Sequence, residues 1–148
     1  MMQRLKHPDK KNASSILDAS FRQMKYTLTL EPNDDSAFNI IRNVYECFRM
    51  LGDALLVAEG IESQDHLAPM NELLKIHVET SRSTKLVDNL RRMRHNINYY
   101  GYNPKKIEAD DAISLAKSCF QPLLNAVKIK IEKNSMAKRL FTNNGQRR

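Results

Sequence analysis

The chain has 148 residues, of which 41% are hydrophobic and 28% charged, a composition typical of one globular domain of ordinary size. Its 4 Gly and 5 Pro are too few for the many tight turns of an all-β fold. No stretch approaches the ~20 consecutive apolar residues of a membrane span, and the polar N-terminus does not resemble a signal peptide. We therefore expect a cytoplasmic protein without a membrane partner.

The net charge of +7 is concentrated at the two ends of the chain. Residues 1–11 contain four cations against one carboxylate, and residues 128–148 contain seven cations against one carboxylate. The residues between these ends therefore have a small negative charge. We predict a single domain, 1–148, with basic N-terminal (1–11) and C-terminal (134–148) tails. Such tails either attract phosphate groups or are solvated chain ends.

The first predicted helix covers residues 12–30. Asn12 or Ser14 is expected to cap its start, and Pro32 in the following turn ends it. Apolar residues recur at a spacing of three to four along it: Ile16, Leu17, Phe21, Met24 and Leu28.

A second helix is predicted from Asp35 or Ser36 to about Glu59, and Gly60 is well placed to end it in a left-handed conformation. Its apolar positions form one broad stripe, which predicts a helix that is largely buried. These positions are Phe38, Ile41, Val44, Tyr45, Phe48, Leu51 and Leu55.

A short third helix is predicted over residues 67–78 and a fourth over residues 85–100, which Gly101 and Pro104 end. The fourth helix has apolar residues that alternate four and three positions apart, which is the seam of a helical bundle. These residues are Leu86, Leu90, Met93, Ile97 and Tyr100. Phe48 and Leu55 of the second helix are expected to pack against that seam.

The last predicted helix begins near Lys105 and continues past Ile131, with a kink or local break at Pro122. No strand pattern, repeat or low-complexity tract is found. Helices joined by short connections favour antiparallel neighbours. The predicted fold class is therefore all-α, an antiparallel up-and-down four-helix bundle with an additional short helix.

The fourth helix ends in a polar, aromatic stretch, LRRMRHNINYYGYNP (90–104). At about 100° per residue, four residues fall on one flank beside the apolar seam: Val87, Arg91, Arg94 and Asn98. His95 and Tyr99 share the outer face. This stretch is either a solvated face whose arginines pair with neighbouring carboxylates, or an edge that contacts a ligand or second subunit.

The order of these elements resembles that of HEPN domains over residues 12–133: LLVAEGIESQDH closing one long helix, then LRRMRHNINYYGY, then a long final helix. The family motif is an Arg, a small polar residue, a few further residues and a His, near the end of the penultimate long helix. Arg94 and His95 match its first two positions. His66 also resembles a recurrent feature of these domains. The chain thus resembles a divergent HEPN domain.

The closing His of the motif is missing, because Tyr99, Tyr100 and Gly101 occupy its expected positions. The resemblance implies that, in active family members, the Arg and the His of the motif act in metal-independent RNA cleavage across a dimer. A neutral imidazole accepts a 2′-hydroxyl proton at pH 7, whereas a tyrosine is deprotonated in only about one molecule in a thousand. His95 points about 100° away from Arg94 around the helix. We therefore expect no efficient cleavage, and the candidate catalytic residues are Arg94, His95 and Tyr99.

The same stretch can bind RNA without cleaving it, because tyrosines stack on bases and arginines hold phosphate. The predicted binding residues are Arg91, Arg94, His95, Asn98, Tyr99, Tyr100 and Tyr102.

The preferred hypothesis is a HEPN-like module that forms a homodimer and binds a nucleotide, an RNA or a nucleotidyltransferase partner. The last of these is implied by the resemblance, since family members often lie beside a small nucleotidyltransferase in toxin–antitoxin pairs. One alternative is a metal-independent ribonuclease toxin of such a pair. The other is a purely structural oligomerising bundle.

No other chemistry has a recognisable motif. There is no Glu-x-x-His pair for a di-iron bundle, no phosphate-binding glycine loop, no nucleophile elbow and no Cys-His zinc spacing, so no metal or cofactor is predicted. Cys47 and Cys119 are expected to be buried thiols. Asp53 is expected at a helix edge, exposed or paired with an arginine, or reaching Arg94 from the facing helix. The histidines are scattered: His7, His66, His77 and His95.

Overall fold

A computed structural model describes residues 3–5, 7–63, 65 and 67–146, with side chains described for 7–63, 65 and 67–137. Helices form most of this part of the chain, which confirms the predicted all-α class. A 3-10 turn, Thr84–Leu86, leads directly into the fourth helix. The five α-helices are α1 (Lys10–Thr27), α2 (Ala37–Glu59), α3 (Leu67–Leu74), α4 (Val87–Tyr100) and α5 (Lys106–Gln146).

Two strands of three residues each, β1 (Gln3–Leu5) and β2 (Ile61–Ser63), form an antiparallel pair. Gln3 lies opposite Ser63, and Leu5 lies opposite Ile61. The sequence shows no pattern for these strands, because three residues are too few for an alternating pattern to be recognised. The pair joins the segment before α1 to the segment after α2.

The ends of the helices follow local chemistry. Asp9 caps α1, and its carboxylate accepts a hydrogen bond from the Asn12 amide at 2.9 Å. The predicted caps Asn12 and Ser14 lie inside the helix instead, because α1 begins earlier, at Lys10. Gly60 and Gly101 end α2 and α4 with φ of 81° and 64°, as predicted, since this left-handed conformation favours glycine.

Two predicted helix boundaries in the second half of the chain were wrong. The short helix α3 ends at Leu74, four residues earlier than expected. The last helix α5 continues across Pro122 without a break and extends to Gln146, so residues 134–146 of the predicted basic tail are helical. Proline removes one backbone donor but does not by itself end a helix that is held by packing on both sides of it.

Helix α2 is central, because it contacts α1, α3, α4 and α5. Phe48 of α2 is fully buried, and its ring meets the edge of the Phe120 ring on α5 at 5.6 Å between centroids. On α4, Leu90 and Ile97 are buried and Met93 is half-buried. The broad apolar stripe of α2 therefore forms the centre of the core. Other fully buried residues of α2 are Ile40, Ile41, Val44, Tyr45 and Leu51.

Several residues that the apolar pattern placed inward are exposed. Phe21 on α1 is 42% exposed, Phe38 on α2 is 39% exposed and Ile107 on α5 is 76% exposed. Tyr100 was predicted to belong to the apolar seam of α4, but it is 76% exposed, so this prediction was wrong. Phe38 and Ile107 lie in the first turns of their helices. Arg42 covers part of the Phe38 ring, with its guanidinium carbon 5.6 Å from the ring centroid. Periodicity predicts the apolar side of a helix but not how far its neighbours cover it.

Both cysteines are free and buried, as predicted. Burial raises the pKa of the Cys47 thiol to about 12, which keeps it protonated and unreactive at neutral pH. Ser20 donates a hydrogen bond to the Cys47 carbonyl at 2.7 Å and so joins α1 to α2. Within the described residues, no helix combines the length and apolar character needed to cross a membrane.

Candidate functional site

The predicted arginine flank of α4 faces α2. The Arg94 guanidinium lies over the ring of Tyr45, with 6.0 Å between its central carbon and the ring centroid. Tyr45 is fully buried in α2, whereas Arg94 is partly exposed. A cation over an aromatic face is attracted by the electrons of the ring. This contact fixes the Arg94 side chain at the boundary between the core and the solvent.

The two arginines of this flank differ in their partners. Arg91 pairs with Asp88 one turn earlier, with 2.9 Å between its Nε and the carboxylate. This hydrogen bond raises the pKa of the Arg91 guanidinium. Among the described residues, no carboxylate lies within ion-pairing distance of Arg94, so the expected carboxylate partner is absent there. Arg94 therefore retains the capacity to bind an anion.

Asp53 does not reach Arg94. It pairs with Arg49, which also forms an ion pair with Glu46, so that the three residues make a charged row along α2. The expectation that Asp53 pairs with an arginine is confirmed, but the proposed contact with Arg94 is wrong. Burial raises the pKa of the Asp53 carboxyl, and the Arg49 charge opposes that shift. The i,i+3 and i,i+4 spacings of this row could have been recognised in the sequence.

The outer face of α4 carries three aromatic rings, in which His95 contacts both tyrosines at tilted or edge-to-face angles. The His95 ring lies 4.7 Å from the Tyr99 ring and 5.7 Å from the Tyr100 ring, measured between centroids. We name His95, Tyr99 and Tyr100 the ring cluster. Tyr99 is 67% exposed and Tyr100 is 76% exposed, so most of their surface faces solvent. Such exposed rings are available for stacking on a base.

The remaining predicted site residues lie at the edge of this region. Asn98 is exposed one turn after Arg94. Tyr102 donates hydrogen bonds from its hydroxyl to both carboxylate oxygens of Glu108, at 2.7 and 2.9 Å. The hydrogen bond to the Glu108 carboxylate raises the pKa of the Tyr102 hydroxyl. Tyr102 is therefore held against the first turn of α5.

Among the described residues, Arg94 and His95 do not form an acid–base pair for RNA cleavage. Arg94 is directed to Tyr45, whereas His95 packs in the ring cluster. No group of three His, Cys, Asp or Glu that could hold a metal ion is found in the described part of the chain. His66, which resembles a recurrent feature of HEPN domains, lies outside the described residues.

Comparison with known proteins found no matching family model, no matching curated protein and no matching solved structure. The resemblance to HEPN domains therefore stays a prediction from the order of the elements and from Arg94 and His95. The geometry of α4 and its neighbours is the basis for the functional proposal.

Tyr45 and Cys47 lead to a prediction about stability at alkaline pH. Burial raises the pKa of Tyr45 to about 12 from its ordinary value of 10.0, and that of Cys47 to about 12 from 9.0. Above these ordinary values the unfolded chain loses protons that the native chain keeps. The free energy of unfolding should therefore fall as the pH rises from about 9 to 12, by up to ~1.4 kcal/mol per pH unit for each group.

Urea unfolding at several pH values in this range measures the effect. Tyr45→Phe should make the free energy of unfolding fall less steeply with pH, because that variant has no hydroxyl to ionise at position 45. Tyr26→Phe is the matched control, since the Tyr26 side chain is 64% exposed. An identical slope in wild type and Tyr45→Phe would contradict the assignment to Tyr45.

Proposed function

We propose that the chain is a HEPN-like antiparallel four-helix bundle with an additional short helix, which forms homodimers and binds RNA without cleaving it efficiently. The observation that carries the proposal is the exposed ring cluster on α4, the helix that also carries Arg94. Exposed aromatic rings next to cations are the combination that binds single-stranded nucleic acid, because rings stack on bases and cations hold phosphates.

The charges around the ring cluster support binding of an anionic ligand. Arg94 has no carboxylate partner among the described residues, and the Arg92 side chain is 70% exposed, 3.8 Å from Asp88. Arg91, by contrast, is already neutralised by its close pair with Asp88. Arg94 and Arg92 are therefore the phosphate-binding cations of this proposal, with a smaller contribution from Arg91.

A homodimer would bring two copies of this face together, since the matching helices approach each other in the dimers of the resembled family. Two Arg94 side chains would then frame one electropositive groove. The same surface is compatible with a nucleotide as ligand, because the stacking and phosphate contacts are the same chemistry. A nucleotidyltransferase is the protein partner that the resemblance implies.

Absence of efficient cleavage follows from the positions of the candidate catalytic groups. A tyrosine hydroxyl in general, with an ordinary pKa near 10, is a poor base at neutral pH. His95 and Arg94 contact different neighbours, so they do not converge on one reacting atom within the chain. This separation disfavours the ribonuclease toxin. The Arg91–Asp88 pair fits a purely structural bundle, but the unpaired charge of Arg94 does not.

The RNA-binding proposal predicts that Arg91→Ala/Arg94→Ala weakens binding of a labelled single-stranded RNA by at least about tenfold at low salt. Of the single variants, Arg94→Ala should have the larger effect, because Arg91 is paired with Asp88. Fluorescence anisotropy at two salt concentrations measures both affinity and salt dependence. Tyr99→Ala/Tyr100→Ala should also weaken binding, since each stacked base contributes ~1–3 kcal/mol.

The control is Lys11→Ala/Lys85→Ala, which removes two exposed cations away from the ring cluster. Equal RNA affinity in wild type and the Arg91/Arg94 variant would show that this flank is structural. A parallel incubation with RNA and no metal should leave the RNA intact. Cleavage that is lost in Arg94→Ala and retained in the control would instead support the ribonuclease toxin.

A further inference from the structure

A second surface lies between α1 and α5, where an open apolar groove has a volume of about 420 Å³. Its lining residues come from these two helices, and none comes from α4. They are Phe21, Met24 and Lys25 of α1, Leu28 at the C-terminal cap of α1, and Ala116, Lys117, Phe120 and Gln121 of α5. The groove is therefore separate from the proposed RNA-binding face.

The floor and wall of the groove are apolar. Met24 and Phe120 are buried and form the floor, with 3% and 4% of their surface exposed. Phe21 stands at the side and is 42% exposed, although its position on α1 belongs to the apolar pattern of that helix. A large aromatic side chain left in contact with water beside an apolar groove marks a surface that a partner can cover.

The rims of the groove are basic. Lys25 lies on the α1 rim and Lys117 on the α5 rim, both exposed, and neither has an ion-pair partner within the described part of the chain. Arg22, next to Phe21, is also exposed. The nearest carboxylate along α1 is Asp18, one turn before Phe21. A partner that lies in the groove would thus meet positive charge on both sides.

We propose that this groove binds an amphipathic helix of a partner protein whose apolar side chains are flanked by Asp or Glu. The groove lies between two helices of opposite direction, since Lys10 pairs with Glu132 at one end while α1 residues 21–28 meet α5 residues 116–121 further along. Phe21 and Leu28 are separated by about 10 Å, or two helical turns. Aliphatic residues at positions i, i+3 or i+4, and i+7 of a third helix match that length.

The positive charge of the groove rims determines which helices can bind. Acidic residues beside the apolar anchors would pair with Lys25 and Lys117, which gives specificity for an acidic helix. A second copy of this chain is disfavoured, because self-association through the groove would bring the basic rims of both copies together. The groove volume falls in the ordinary range of ~300–1,000 Å³ for binding sites, so it accommodates a few side chains and not a whole domain.

The test uses the full chain and a labelled helical peptide with leucine at every third or fourth position and glutamate on both sides of that stripe. Lys25→Glu/Lys117→Glu should weaken binding at least about tenfold, and the same peptide with lysine in place of glutamate should bind that variant. Phe21→Ala should also weaken binding. Lys11→Glu/Lys85→Glu, with the same change in net charge, should retain an affinity within about twofold of wild type.

Absence of binding to the wild-type chain, or equal weakening in the Lys11/Lys85 control, would overturn the proposal. Binding of phosphatidylglycerol vesicles with the same dependence on Lys25 and Lys117, but no binding of the peptide, would also overturn it in favour of a membrane surface. The Arg91→Ala/Arg94→Ala variant should bind the peptide normally. A loss of RNA binding in that variant, with peptide binding retained, would therefore separate the RNA-binding proposal from the groove proposal.

Discussion

Replacement of Phe48 by alanine is expected to lower the free energy of unfolding by about 3–5 kcal/mol. The Phe48 side chain is fully buried in the central helix α2, and its ring contacts the edge of the Phe120 ring on α5. Alanine would remove this aromatic contact and leave a cavity where α2 and α5 meet. Urea unfolding followed by circular dichroism measures the change.

Phe21→Ala is the matched control, because it removes the same side chain from a position that is 42% exposed. We expect that variant to lose less than about 1 kcal/mol, since a surface position leaves no closed cavity. A loss of that small size for Phe48→Ala would mean that the side of α2 carrying Phe48 does not form the core.

Gly52→Ala is expected to destabilise the chain by about 1–3 kcal/mol. In most helix interiors this change is favourable by roughly 1 kcal/mol, because alanine has the higher helix propensity. Here a Cβ at Gly52 would lie 2.9 Å from the Pro69 Cα and still closer to the Pro69 carbonyl group. These are backbone atoms of α3, which cannot move aside as a flexible side chain can. The close approach of α3 to α2 therefore requires glycine.

Gly101→Ala separates this clash from conformational strain. Gly101 has φ of 64°, and nothing lies within 4 Å of a Cβ built there, so alanine would only be strained by the left-handed backbone. The expected loss is about 1 kcal/mol. Thermal unfolding of both variants provides the comparison. A Gly52→Ala chain as stable as wild type would show that α3 shifts to make room.

The helices and their glycine ends were predictable because the relevant physics is local. The stripe of α2 fixes its buried side, and Gly60 and Gly101 are the residues that tolerate a left-handed helix end. The exposure of Phe21 was not predictable, because it depends on how closely α5 approaches α1. The pairing of β1 with β2 was missed because the strands have only three residues each and join two segments that are distant in the chain.

The candidate site shows the same division between local and distant contacts. The contact of the His95 ring with the Tyr99 ring was predictable, because residues four apart are neighbours on a helix. The position of Arg94 over Tyr45 was not, because it depends on which residue of α2 faces α4. No described carboxylate lies within ion-pairing distance of Arg94, and an aromatic ring lies beside its guanidinium.

The pairing of β1 with β2 also affects the chain entropy of folding. Gln3 pairs with Ser63, and the Asp9 amide donates a hydrogen bond to the Val57 carbonyl at 3.1 Å, so both contacts close nearly the same loop around α1 and α2. The entropy lost in closing a loop is lost mainly at the first contact, and a second contact that closes the same loop costs little more. The strand pair and the α1–α2 interface are therefore expected to form and break cooperatively, as one unit.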